Sequence, residues 1–161
     1  MLNNNPKITY HKLNINHIKQ ILTIEEELYI GGLKEDKKTV LEALNSSKIN
    51  WGAFDKDILV GFVLGLQEEV GSIWLYDLSV TTKYQHIGIG RALYELFLTD
   101  CQKMNLVVNT YCRKTSVKLI TDTKILTKHG YKIIKNRFEP DGYYQMCGVH
   151  EDGYSISLSL T

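Results

Sequence analysis

Between the apolar alternation of SIWLYDLSV (Ser72 to Val80) and the helical pattern of RALYELFLTDCQKM, from Arg91, the chain places two glycines one residue apart, Gly88 and Gly90. Glycine inside an element costs roughly 0.5–1 kcal/mol relative to alanine, so the pair implies a tight turn or a close approach of backbone to something else. A strand that ends in such a loop and enters a helix leaves the helix's first N–H groups unpaired and pointing outward, at the positive end of its dipole. The expectation is an anion cradle for phosphate or pyrophosphate. Gly88 and Gly90 let ligand oxygens reach the backbone, and Arg91 adds a charged contact. No GxxxxGK[ST] occurs, which argues against a nucleotide-hydrolysing P-loop. GIGRAL lacks the third glycine of the dinucleotide fingerprint and follows several strands rather than the first, which argues against a Rossmann site.

The rest of the chain alternates strand and helix patterns around this junction. KITYHKL (Lys7 to Leu13) reads as a strand. A helix follows with Ile18, Ile21, Leu22, Leu28 and Tyr29 on one stripe, Asn16 as N-cap and Gly31 as stop. A shorter helix from Asp36 buries Val40, Leu41 and Leu44. WGAF and ILVGFVLGLQ flank a turn at Asp55 to Asp57, the pattern of an antiparallel hairpin. After the glycine loop, Leu93, Leu96, Phe97, Cys101 and Met104 share one helical face. LVVNTYC is a strand, TSVKLITDTKILTKHG a helix closed by Gly130, and YKIIKNRF and GYSISLSL are strands. The order β-α-α-β-β-β-α-β-α-β-β implies a mixed sheet covered by helices.

At 161 residues, 43% apolar and 23% charged, the chain suits one domain spanning residues 1–161. A net charge of +1 gives no field for nonspecific binding to nucleic acid or an anionic membrane. No apolar run approaches a bilayer span and MLNNNPKITYHKL lacks a secretory core, so a cytoplasmic protein is expected. Cys101, Cys112 and Cys147 lack the spacing of a disulfide framework or a zinc site, and reduced structural thiols are expected.

The run LSVTTKYQHIGIGRALYE resembles the acetyl-CoA-binding signature of the GNAT acetyltransferase superfamily. Its form Gln/Arg-x-x-Gly-x-Gly/Ala falls here on Gln85, His86, Ile87, Gly88, Ile89 and Gly90. The element order from Lys7 to Leu160 is similar to the family layout, with HGYKII in the place of its usual Gly-Phe or Gly-Tyr. The resemblance implies an α/β (α+β) fold: a mixed, mostly antiparallel sheet of about seven strands flanked by about four helices, the acyl-CoA N-acyltransferase fold. It implies acetyl-CoA as cosubstrate, an amine acceptor and no metal, and it is compatible with a homodimer. In the family the strand before the loop bulges and splays, and its main chain, here Leu78, Ser79 and Val80, bonds the pantetheine arm. The loop from Gln85 to Arg91 would hold the pyrophosphate. Thr115 or Ser116 stands where the family commonly has a cofactor-touching Asn. The Tyr that often protonates the departing thiolate has no counterpart in LITDTKILTKHG, where Thr123 or Leu126 is nearest its place.

Only a neutral amine attacks a thioester, and a lysine-like amine of pKa ~10.4 is neutral about once in 10³ at pH 7, a deficit of ~4–5 kcal/mol. A base near the splay is therefore useful. Asp77 is a candidate base, or a backbone partner at the bulge. Tyr111, on the strand across the splay, is a candidate donor to the thiolate, or a core tyrosine with a satisfied hydroxyl. Glu68 and Glu69, at the end of the preceding strand, are further candidate bases or, as is commoner, a solvated turn. EEE at Glu25 to Glu27 either guides a cationic acceptor or, as is commoner for a charge run, is a solvated face. His86 either touches phosphate or is an exposed spacer. The segment from Glu139 to Gly153 is a substrate lid or added strand, and YYQMCGV has strand composition. The functional expectation is direct acetyl transfer to a primary amine of a small molecule or protein in a ternary complex. The alternative is a CoA-binding sensor or partner module without catalysis.

Overall fold

In the computed structural model, residues 5–29, 37–67, 69–144 and 149–161 are described. The chain runs β1 (Ile8–Lys12), α1 (Ile18–Leu28), α2 (Lys37–Ser46), β2 (Trp51–Asp55), β3 (Ile58–Leu66) and β4 (Ser72–Val80). It continues through α3 (Ile89–Lys103), β5 (Val107–Arg113), α4 (Val117–Ile120), α5 (Thr123–Lys128), β6 (Tyr131–Tyr144) and β7 (Val149–Leu160). The strands form one sheet of seven in the order β1-β2-β3-β4-β5-β7-β6. Its described pairings are antiparallel apart from β4 with β5, which is parallel.

Each face of the sheet carries its own core. On one side α3, α4 and α5 cover it, with Leu93, Tyr94, Phe97, Leu98 and Cys101 buried against Ile73, Val108 and Ile156. On the other side α1 and α2 cover it, with Ile21, Ile24, Val40 and Ala43 buried against Phe62 and Leu64. Buried tyrosines are satisfied: Tyr94 donates to the Ile120 carbonyl at 2.9 Å and Tyr131 to the Leu106 carbonyl at 2.8 Å. Lys12 pairs with Asp100, which also accepts from Trp51 Nε1 at 2.8 Å, so β1 and β2 are tied to α3.

Several sequence expectations shift in detail. Asn14, not Asn16, caps the first helical turn: its Oδ1 accepts the Asn16 N–H at 2.9 Å, a 3-10 turn covers Ile15–His17, and α1 begins at Ile18. The buried face of α3 is completed by Tyr94 and Leu98, whereas Leu96 is half-buried and Met104 exposed. Leu41 and Leu44 of α2 are half-buried, and Ala43 is the buried partner of Val40. The single helix expected before Gly130 is two, because Asp122 turns its carboxylate onto the N–H groups of Lys124 and Ile125 at 2.9 and 3.3 Å and starts α5 afresh. The expected stop at Gly31, start at Asp36, Glu68 and Cys147 lie outside the described residues. Cys101 and Cys112 are buried free thiols.

The described parts of the segment from Glu139 to Gly153, residues 139–144 and 149–153, extend the last hairpin. β6 and β7 stay paired through Gly142↔Glu151 to Tyr144↔Val149, past Gly153, the last β7 residue paired to β5. Among the described residues no helix is long and apolar enough to cross a membrane.

Candidate active site

The site begins where two strands part. β4 and β5 pair only at Ser72↔Val107, Ile73↔Val108 and Trp74↔Asn109, although β4 runs on to Val80 and β5 to Arg113. At the apex the Thr110 hydroxyl donates to the Leu75 carbonyl at 2.9 Å. Beyond it the β4 edge from Tyr76 to Val80 faces an opening instead of a strand.

A bulge decides what that edge presents. Against β3 the register passes from Gly65↔Leu75 to Leu64↔Asp77, so Tyr76 is an extra residue. Before it, Ile73 and Leu75 join the α3 side and Trp74 the α1 side. After it, Leu78 and Val80 pack on the α3 side while Asp77 and Ser79 turn toward α1. Without the extra residue, Asp77 would point into the apolar layer under α3.

β4 feeds the glycine loop. A 3-10 turn over Thr82–Tyr84 leads to Gly88, the N-cap of α3, at φ 93°. A side chain there would be strained by the backbone angle, while the space around its Cβ position is open to 4 Å. The first helical bond is Ala92 N–H to Gly88 carbonyl at 3.0 Å. The N–H groups of Ile89, Gly90 and Arg91 therefore precede the ladder and point out of the helix end. Gln85 Nε2 donates to the Val80 carbonyl at 2.9 Å and folds the loop back on β4. His86, Ile87 and Arg91 are exposed, and Ile89 is buried as the loop's anchor.

On the α1 side lies a polar cluster. Ser79 Oγ donates to Asp77 Oδ1 at 2.7 Å, and Tyr29 Oη lies 2.8 Å from Ser79 Oγ. The Glu25 carboxyl is a close neighbour of the Asp77 carboxyl, and both are buried. Glu25 is 1% exposed and Asp77 9%, which explains the electrostatics. Burial raises the Asp77 pKa above the ordinary carboxylate range, against the opposing pull of Glu25, Ser79, Arg113 and the Leu78 backbone. Burial also raises the Tyr29 pKa. The Arg113 guanidinium sits 4.7 Å from the Tyr29 ring centre, so Tyr29 reaches from β4 to β5 across the opening. Two residues after Glu25 on α1, Glu27 Oε1 accepts the Thr82 N–H at 3.0 Å and ties the helix to the loop.

The model of the acetyltransferase (GNAT) family matches residues 18–120, which hold α1 through α4, the splay and the loop. The chain belongs to the GNAT acetyltransferase family. Members of that family use acetyl-CoA as acyl donor, which makes this chain an acyltransferase by family. Solved GNAT structures share the fold over nearly the whole chain. The ribosomal-protein-S18-alanine N-acetyltransferase from Escherichia coli is 18% identical, with a TM-score of 0.69 over 95% of this chain and 92% of its own. Naa50 from Arabidopsis thaliana, in complex with the bisubstrate analogue CoA-Ac-MVNAL, is 21% identical with a TM-score of 0.68, covering 93% and 97%. The yncA protein from Salmonella typhimurium, with its cofactor acetyl-CoA, is 12% identical with a TM-score of 0.68, covering 96% and 94%. No curated protein matches the chain in sequence.

In this GNAT chain Asp77 lies in the polar cluster on the α1 side, and the other candidate site residues fall in three places. Leu78, Ser79, Val80 and the loop from Gln85 to Arg91 form one continuous strip along β4 and into α3. Tyr111 is across the opening on β5, but its hydroxyl donates to the Glu151 carbonyl at 2.9 Å, and its ring lies over Gly142 and Gly153, where no Cβ fits. Thr115 and Ser116 occupy the turn from β5 into α4, the first exposed and the second half-buried. Glu69 is exposed, in the expected solvated turn. The solvated reading of EEE holds for Glu26 and Glu27, which are exposed, and fails for Glu25. Glu25 lies one residue after Ile24 and four after Ile21, on the buried stripe of α1. That spacing was the available signal for it. Tyr29 was read only as part of an apolar stripe, and its hydroxyl contact depends on the bulge that turns Ser79 toward it. Among the described residues no His/Cys/Asp/Glu group is arranged to hold a metal.

Proposed function

We propose that this chain transfers an acetyl group from acetyl-CoA to a primary amine of a small molecule or protein by direct attack within a ternary complex. The observation that carries the reading is the β4 edge left open beside β5 and leading straight into the Gly88–Arg91 helix entrance. An extended pantetheine arm hydrogen-bonds such an edge as an added strand would, through the main chain of Leu78, Ser79 and Val80. The pyrophosphate then meets the loop from Gln85 to Arg91, with Ile87, Gly88, Ile89 and Gly90 supplying backbone, His86 a ring N–H and Arg91 charge. Thr115 and Ser116 border the same opening from the β5 side. Acetyl-CoA brings an activated thioester, and the chain has to remove the amine's proton and hold the geometry. Asp77 is the proton acceptor. Tyr111 is the candidate donor to the departing thiolate, once its hydroxyl turns from the Glu151 carbonyl. The bisubstrate complex of the Arabidopsis protein and the acetyl-CoA complex of the Salmonella protein support this use of the fold. The buried free thiols support a reducing, cytoplasmic setting.

Thiol release from acetyl-CoA in the presence of an amine panel tests the proposal. Release above the amine-free rate is the expected result. Tight acetyl-CoA binding with no release for any amine would turn the reading to a CoA-binding module.

A further inference from the structure

Asp77 is 9% exposed and lies behind Ser79, so an amine in the opening has no direct path to its carboxylate. The hydroxyls in front of it supply one. We infer that Tyr29, Ser79 and Asp77 form a proton relay in which the Tyr29 hydroxyl meets the acceptor amine and Asp77 is the terminal acceptor.

The direction of the relay follows from counting protons. A serine hydroxyl has one, and Ser79 gives its own to Asp77 Oδ1 at 2.7 Å. The 2.8 Å contact with Tyr29 must then run from the tyrosine to the serine. Tyr29 Oη, with its proton spent on Ser79, presents lone pairs to the opening and accepts the N–H of an amine. The charged groups facing the relay are Glu25 from α1 and Arg113 from β5. Arg113, 4.7 Å from the Tyr29 ring, favours negative charge on the phenol oxygen while a proton is in transit.

The inference rests on the acetyl-transfer reading, and its protons balance. An ammonium gives one proton to Tyr29 Oη as the Tyr29 proton moves to Ser79 Oγ and the Ser79 proton to Asp77, which becomes neutral. The free amine's lone pair then forms the C–N bond and the C–S bond breaks with its electrons on sulfur. The proton shed by nitrogen balances the one taken up by the thiolate, and Asp77 returns its proton to water after product leaves.

Two acceptors of similar size separate this role from packing: an alkylamine, charged at neutral pH, and an alkoxyamine, already neutral there. Tyr29→Phe keeps the ring over Arg113 and removes the hydroxyl. It should slow the alkylamine about 10²-fold more than the alkoxyamine, and the acetylation of the alkoxyamine that remains shows that the variant is folded. Ser79→Ala should do the same, and the double variant should be no slower than the slower single one, because a broken relay cannot be broken twice. Equal slowing of both acceptors, or slowing of neither, overturns the relay while leaving acetyl transfer standing. Failure of the wild-type protein to acetylate either amine overturns the transfer reading, and the relay with it.

Discussion

Asn50 and Gly65 are joined by a buried hydrogen bond of 2.9 Å, in which the Gly65 N–H donates to Asn50 Oδ1. Asn50 Nδ2 donates in turn to the Ala43 and Ser47 carbonyls at 3.2 and 3.0 Å, and Ser47 Oγ donates to the Gly65 carbonyl at 3.0 Å. Gly65 is the β3 residue at which the register against β4 shifts. Side chains from the end of α2 thus hold the strand at the point where the bulge turns Asp77 toward α1. Asn50→Ala leaves a buried donor and two acceptors without their partner. It should cost about 2–3 kcal/mol of stability, read as a lower urea midpoint at unchanged slope. A midpoint like that of wild type would mean that the register is fixed by the strands alone.

The raised pKa of Asp77 gives a paired prediction for stability and rate. An acid whose folded pKa lies above its unfolded value holds its proton more tightly in the native state. Native stability is therefore favoured at low pH and lost as pH rises through the folded pKa. Asp77→Asn has no charge to bury, so its thermal midpoint should match wild type near the ordinary carboxylate pKa and exceed it as pH rises toward neutral. Its activity should move the other way. In wild type, kcat/KM should climb with pH as Asp77 ionises, above the ordinary carboxylate range. The variant should lose that limb along with ~10²–10⁴-fold in kcat. A variant that keeps the limb excludes Asp77 as the proton acceptor.

Tyr111→Phe asks whether the hydroxyl on β5 serves the thiolate or the ribbon. Loss of the 2.9 Å bond to the Glu151 carbonyl alone should cost about 1 kcal/mol of stability. A donor role adds a fall in kcat of ~10²–10⁴-fold with acetyl-CoA affinity nearly unchanged. A stability loss with intact kcat would leave Tyr111 as the brace of the β6–β7 ribbon.

The parts of this fold that depend on local pattern were legible in the sequence. Alternation gave the strands, the turn at Asp55 to Asp57 gave the β2–β3 hairpin, and the glycine pair marked the entrance to α3. Misplaced features were those in which two patterns overlap. The apolar residues either side of Asp122 keep helical spacing, so the cap that splits α4 from α5 was hidden beneath it. Glu25 sat inside a run of three acids whose other two members are solvated, and only its place on the Ile21–Ile24 stripe sets it apart. The polar cluster itself depends on one extra residue, Tyr76. A strict alternation from Ser72 sends Asp77 to the wrong face, because a bulge is a property of the pairing with β3 and not of β4 alone.

Calorimetric titration of acetyl-CoA into wild type and Gly88→Val tests the cofactor strip most directly. The glycine stands at φ 93° with open space about its Cβ position, so a branched side chain strains the loop without striking the core. The free variant should melt only slightly below wild type. Its acetyl-CoA affinity should fall at least tenfold, ~1.4 kcal/mol, and the thermal stabilisation that the ligand confers should shrink with it. A folded Gly88→Val protein that binds acetyl-CoA as tightly as wild type would contradict the anion cradle and leave the loop a structural turn.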